Sequence, residues 1–537
     1  MTTDSLPRPS EIGWHDIPTE IIEQILCHAD GPSLLAFLKV SHSLHHLALK
    51  QLLGPRVMRE LSTKSQVILH DGQMTQCTRA LCIALSLPIR LSRIAYFLTH
   101  HNMNALLDDL QTLLSLITRV HLLSTFQLRI SLCDLNELDA VGERNLLTLS
   151  DGQLLKKRLT RLIDLALAKG CQSMTIEGDA LLPYPLNIKP RALSRLERFA
   201  ERTLSPMFQS VSRKKPLPTR LQSLTISDGK LLTVPLADYT KELMGRSSAT
   251  LHSLEVKFIW PRASRTHEEW SLFFGDAVHL PALQTLILAG EDLVLGPHTF
   301  ESFLSRHGTI KKLKLDLSFK YMSATDHIPR FTGSAILPQL RSLSARPQLV
   351  SWLLQRPESL LRNERWYQSL ESVCILSPPR DRYPIDASVV DRAILSLNFL
   401  GQRSVVDVGS NCTIMVKRTR LALCMNFEDE FWVGWVRGHA NAARGNRSGG
   451  SSLVKAGITE LTIEVLSPVD STVIFSEAQS VGRWLGTLPL LRELEISGEP
   501  FPLNPSLTQR LCQEITSCCP RLQRVEHVNR KLPEDLP

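Results

Sequence analysis

Leu280-Pro281-Ala282-Leu283-Gln284-Thr285-Leu286-Ile287-Leu288 carries the pattern on which the reading of the whole chain turns. Its apolar residues Leu283, Leu286 and Leu288 form an L-x-x-L-x-L hexad. The same spacing recurs at Leu221-Leu224-Ile226, Leu251-Leu254-Val256, Ile310-Leu313-Leu315, Leu370-Val373-Ile375, Ile458-Leu461-Ile463 and Leu491-Leu494-Ile496, with partial copies at Leu340-Leu343 and Leu522-Val525. Successive first residues step by 27 to 33, apart from one gap of 88 that would fit three units with two degenerate copies hidden inside it. A period near thirty held over this many copies is the signature of stacked structural repeats. Leucine usage agrees, since 93 of the 537 residues are leucine against 6% aromatics.

Working outward from the hexads, Leu280-Pro281, Leu337-Pro338, Leu488-Pro489 and Cys519-Pro520 stand just before four of them. Proline there ends a preceding helix and favours an extended start. Between copies, Thr299 to His307, Gln348 to Leu361, Ala478 to Gly486 and Leu507 to Cys518 place apolar residues three and four apart, the period of a helix. Each unit therefore reads as strand, turn, helix. The same marks fit buried strands of a doubly wound α/β sheet, although leucine-rich rather than Val/Ile-rich strands favour the solenoid.

From Leu221 to Val528 the chain resembles the leucine-rich repeat family. The resemblance implies an α/β fold: a curved solenoid with parallel strands on its concave face and helices outside. The family's Asn or Cys after the strand is missing, with Gly229 and Glu291 eight residues past Leu221 and Leu283. Leu123-Phe126-Leu128-Ile130 and Cys171-Met174-Ile176 are weaker, longer-spaced units. Residues 377–457 break the pattern. There Cys412 to Val416 and Arg420 to Phe427 read as a hairpin, and Arg437 to Ser452 as a mobile solvated loop of a tolerated insertion.

Trp14 to Leu53 reads as three short amphipathic helices. Pro18 sits in a first turn behind Asp16 with Glu20 at the positive end of the helix dipole, and Ile21, Ile22, Ile25 and Leu26 make one apolar face. Gly31-Pro32 opens a second helix, and Ser43 to Leu53 forms a third before Gly54-Pro55. About forty residues cannot bury this much apolar surface alone, so the helices need a partner or the rest of the chain. Here Ile17-Pro18-Thr19-Glu20-Ile21-Ile22, Ile25-Leu26 and Leu34 to Val40-Ser41 resemble the F-box family in order. The resemblance implies docking onto a Skp-type adaptor and, through it, a cullin scaffold of a ubiquitin ligase. Ile17, Pro18, Glu20, Ile21, Ile25, Leu34, Leu35, Leu38 and Val40 would form the contact surface. On the residues alone, these helices could instead cap the first repeat and hide its edge.

The expected organisation is a disordered start (1–11), a helical domain (12–54), a mainly helical linker with the first irregular repeats (55–170), the solenoid (171–530) and a tail (531–537). A net charge of +8, from 61 Lys+Arg against 53 Asp+Glu, is too thin an excess to argue for nucleic acid. No apolar run approaches the roughly 20 residues of a membrane span, and Met1 to Ile12 has no signal-peptide character, so an intracellular protein of the cytoplasm or nucleus is expected, with no membrane partner. Eleven cysteines are too sparse for a disulfide scaffold. His42, His45 and His46 share a helical face, but no Cys or carboxylate completes a zinc set, and no metal or cofactor is expected. Arg213-Lys214-Lys215-Pro216 reads as a solvated loop in preference to a nuclear address.

No catalytic motif is present, so the expectation is a non-catalytic substrate-recognition subunit that holds a target protein on its strands. Between the inward leucines, Lys311, Lys312, Lys314, Glu460, Glu464, Glu493 and Glu495 would face that target. A surface basic in one place and acidic in another suits a protein better than uniformly anionic nucleic acid. The alternative is a repeat scaffold without ligase function.

Overall fold

Alternation within each hexad decides the local structure, because a strand sends successive side chains to opposite faces. In the computed structural model all three apolar anchor residues of each of the seven full hexads are at most 2% exposed. The structure describes residues 17–40, 42–69, 81, 89–100, 103–132, 149–178, 219–227, 236–258, 274, 278–290, 297–317, 337–354, 369–376, 387–397, 420–425, 430–444, 458–465, 478–488, 490–498, 505–519 and 521–529. The chain divides into two units, residues 1–250 and 251–537.

The first unit begins with α1 (Thr19–His28), α2 (Gly31–Phe37) and α3 (His42–Lys64). It continues with β1 (Gln66–Leu69), β2 (Ile89–His100), α4 (Met103–Arg119), β3 (Val120–Leu132), α5 (Leu149–Ala168), β4 (Ser173–Gly178), β5 (Ser223–Ser227) and α6 (Ala237–Arg246). Strands β1 to β5 pair in chain order, every pair parallel. Helices α4 and α5 pack side by side, with Leu106, Leu110, Leu113, Leu162 and Ile163 all inaccessible to solvent. Between α5 and α6, the Asp164 carboxylate accepts from the Tyr239 hydroxyl (2.9 Å) and from Arg246 Nη2 (2.6 Å). Burial, reinforced by that carboxylate, pushes the Tyr239 phenol up, so it stays a donor.

The second unit holds β6 (Ser253–Phe258), β7 (Thr285–Gly290), α7 (Pro297–Arg306), β8 (Lys312–Leu317), β9 (Ser342–Ala345), α8 (Pro347–Leu354), β10 (Ser372–Ile375), α9 (Ala387–Leu395) and β11 (Arg420–Met425). It ends with α10 (Glu430–Arg444), β12 (Glu460–Val465), α11 (Ala478–Leu485), β13 (Glu493–Gly498), α12 (Pro505–Cys518) and β14 (Arg524–Asn529). These strands too are parallel and in chain order. Parallel neighbours joined through helices are compatible with a solenoid.

One hydrogen-bond device repeats along the second unit. Just before β8, the amides of Lys311 and Lys312 both donate to Gln284 O, at 2.7 and 2.9 Å. Arg341 and Ser342 then donate to Lys311 O, and Glu371 and Ser372 to Arg341 O. Hydroxyls reinforce it: Thr309 Oγ1 donates to Leu283 O (2.8 Å) and Ser369 Oγ to Pro338 O (3.0 Å). Each repeat thus satisfies backbone donors with the preceding repeat's carbonyls, which fixes the stacking register. Leu280 N, by contrast, donates to a side chain, the buried His307 Nε2 (3.0 Å), whose Nδ1 faces Phe303 O at 2.6 Å. The two bonds require the neutral ring with its proton on Nδ1, and burial accordingly lowers its pKa to about 4.

Four expectations are corrected. Between Ile375 and Ile458, β11 pairs directly with both β10 and β12, which leaves room in the ladder for one copy where two were expected. That strand pairs in parallel with β10 and β12 instead of turning back in a hairpin, because Leu421 and Leu423 supply the inward alternation of a repeat strand. Residues Arg437 to Arg444 belong to α10, whose Trp432, Trp435 and Val436 are buried, so they are not a solvated loop. Within 55–170, β3 carries the weaker unit expected at Leu123 to Ile130, while β2 is a long strand of the parallel ladder that was not expected. Residues 1–11, Arg213 to Pro216, Cys412 to Val416 and 531–537 lie outside the described residues. No helix among the described residues is long and apolar enough to cross a membrane.

Candidate functional site

Helix α1 opens with Pro18 in extended backbone, its carbonyl accepting from the amides of Ile21 and Ile22. Leu26 turns inward while Ile21 and Ile25, one turn apart, remain 45% exposed each. Asp30 caps α2 by accepting from Ser33 N at 2.9 Å, and hydrogen bonding from the Ser33 hydroxyl, with that amide, holds its carboxyl below the usual range. At the other end of α2, His45 Nδ1 lies 2.8 Å from Leu38 O, so this histidine satisfies a helix-end carbonyl. Among the described residues no group of three or more His, Cys, Asp or Glu could hold a metal. Both α1 and α2 pack on α3, which bends at Gly54, a φ of 71° ahead of Pro55, and runs on past the expected end at Leu53.

The nine residues proposed from the sequence for adaptor contact divide here. Pro18, Glu20, Ile21, Ile25 and Val40 are exposed, and Ile17 and Leu35 are half-buried. Leu34 and Leu38 belong to the interior instead, buried together with Leu26, Leu44, Ala48, Leu49, Leu52 and Leu53, because α2 needs an apolar face to hold it on α3. Five large hydrophobic side chains are exposed among the described residues, and Ile21, Ile25 and Val40 are three of them. Ile21 and Ile25, one turn apart on α1, form an uncovered apolar pair, a contiguous surface of the kind used in association.

The second candidate surface is the polar face of the strands. Lys312 and Lys314 lie on the same face of β8, with Lys311 just before it donating to Gln284 Oε1 at 3.2 Å. Glu460 and Glu493 are in register on β12 and β13, and Glu495 follows on the same face. Three strands, β9 to β11, separate the lysines from the glutamates. Glu464 lies in β12, but its side chain is outside the described residues. What the repeat reading missed is Arg420, whose Nε and Nη2 both lie 3.0 Å from Glu460 Oε2, so part of the acidic end is neutralised internally. Aligning the residue before Leu421 with the residue before Leu461 brings that pair together.

Two arrangements with chemical potential serve structure. Asp391 Oδ1 on α9 takes Trp435 Nε1 and faces His439 Nε2, each at 3.0 Å, which fastens α9 to α10. Burial pushes the Cys171 thiol up to about 12, the opposite of what a nucleophile requires.

Residues 14–55 match the F-box domain, a stretch that includes α1, α2 and the first part of α3. No curated protein matches the chain. An F-box domain points in general to substrate recognition in an SCF-type ubiquitin ligase.

Proposed function

We propose that this chain is the substrate-recognition subunit of a cullin-type ubiquitin ligase, docking to a Skp-type adaptor through α1 and α2 and holding a target protein on its repeat strands. The observation that carries the proposal is the exposed apolar pair Ile21 and Ile25 on α1, with Val40 exposed as well, inside the residues that match the F-box domain. An apolar helical face of this size fits helix-in-groove packing. The subunit contributes proximity: it raises the effective concentration of the target beside a tethered enzyme and needs no bond-making residue of its own. Its place of action is the cytoplasm or nucleus.

Co-purification of the full chain with a Skp-type adaptor tests this. Ile21→Asp with Ile25→Asp should weaken capture at least roughly tenfold, since charges on an apolar interface are desolvated without a partner. Unchanged thermal unfolding would show that the fold is intact. A wild-type chain that captures no adaptor, or a variant that captures it equally, overturns the proposal.

The rival reading is a scaffold without ligase function, whose helices only cap the repeats. It draws on α3, which packs against β1 while Ser92 Oγ on β2 donates to Lys64 O at 2.8 Å. Capping by α3 leaves the Ile21 and Ile25 face of α1 unused.

A further inference from the structure

On the polar face of the second unit, several cations of the strands and their ends have an anion beside them. Lys257 lies 2.9 Å from Glu255, Arg346 3.0 Å from Asp316 and Arg420 3.0 Å from Glu460. Lys312 and Lys314 do not: neither ammonium has an ion-pair or hydrogen-bond partner among the described residues. Their surroundings explain why they stay accessible. In register beside Lys312 stand Thr285 on β7 and Ser342 on β9, with Ser372 beyond, and beside Lys314 stand Ile287 and Ser344, with Cys374 beyond. Thr285 and the serines of β9 and β10 leave Lys312 exposed, while Lys314, beside Ile287, is half-buried. The carboxylates nearest in these rows are already engaged, and Glu371 lies just before β10, outside both rows.

The spacing restricts what could bind there. Lys312 and Lys314 are alternate residues of a strand, so they repeat at roughly 6.6 Å. An extended peptide repeats its own alternate side chains at the same interval, and carboxylates at positions i and i+2 would meet both ammoniums in one register. Ser342 and Ser344 would add hydroxyl donors at the same interval. Resting on the proposed function above, we propose that β7 to β10 form the docking surface for an extended acidic segment of the target protein, with carboxylates on alternate residues read by Lys312 and Lys314.

Fluorescence anisotropy on the full chain tests this with labelled twelve-residue Gly/Ser peptides. One set carries three Asp on alternate positions, one three contiguous Asp, one three Asn on alternate positions, and one phosphoserines of equal total charge. The alternating Asp peptide should bind tightest, and Lys312→Ala with Lys314→Ala should weaken it by about tenfold, the scale of two exposed ion pairs. Lys312→Arg with Lys314→Arg should retain binding, and added salt should weaken it. Equal binding by the Asn peptide, indifference to the alanine changes, or no binding by any peptide overturns the proposal. Tighter lysine-dependent binding by the phosphoserine peptide, or by a single-stranded oligonucleotide of equal charge, overturns it in favour of phosphate or nucleic acid. Adaptor capture by the alanine variant should equal wild type, so failure of the docking surface and failure of adaptor binding are read separately.

Discussion

Ile21 and Ile25 on α1 are 45% exposed, whereas Leu313 and Leu315 on β8 are wholly buried, although each pair shares one face of its element. The strand has neighbours on both sides and helices along its unit, so its apolar face is covered within the chain. Helix α1 commits only Leu26 fully to the interior, keeps Ile22 half-buried and leaves Ile21 and Ile25 uncovered. Equal hydrophobicity therefore serves stability in one region and association in the other. The distinction is one of coverage, and it can be measured.

The sharpest contrast is between truncations. Leu313→Ala should lower stability by about 2–5 kcal/mol in denaturant unfolding, because it leaves a cavity in a filled core. Ile21→Ala should change it by less than about 0.5 kcal/mol while weakening adaptor capture. A large stability loss from Ile21→Ala would break the comparison.

His307 gives the repeat side a pH signature. Its folded pKa of about 4 lies below the ordinary 6.5, so the unfolded chain binds the extra proton between those values. Its contribution is fully present above about 6.5 and declines as pH falls toward 4, by about 3 kcal/mol at most. His307→Gln should flatten that slope in unfolding curves taken across the interval, while adaptor capture by α1 stays unaffected.

Smaller effects belong to close contacts and caps. A Cβ on Gly482 would sit 2.8 Å from Cys518 Cβ and 3.2 Å from Ile515 Cα, so Gly482→Ala should push α11 from α12 and cost about 1–3 kcal/mol in thermal unfolding. Asp30→Ala removes the bond to Ser33 N and should cost about 1 kcal/mol, measured the same way, with adaptor capture falling as α2 frays.

The repeat strands were legible because burial forces a fixed alternation, and Leu283, Leu286 and Leu288 display it openly. Strand β3 was legible as the weaker unit Leu123 to Ile130, whereas β2 was not, since its twelve residues follow no thirty-residue step. Arg420 to Met425 looked like half a hairpin because sequence distance hides a parallel partner forty residues on. On the helical side, Ile21 and Ile25 were visible as part of an apolar face, yet Leu34 and Leu38 share that pattern and point inward. Periodicity shows that a face is apolar; only packing shows what covers it. The pairing of Arg420 with Glu460, and the lack of one at Lys312 and Lys314, likewise follow from strand register.

Amide hydrogen exchange on the full chain, with and without a saturating Skp-type adaptor, tests the central contrast most directly. Protection gained in residues 17–53, with β6 to β14 unchanged, is the result expected. Protection gained in the repeat strands instead, or none in α1 and α2, would contradict it.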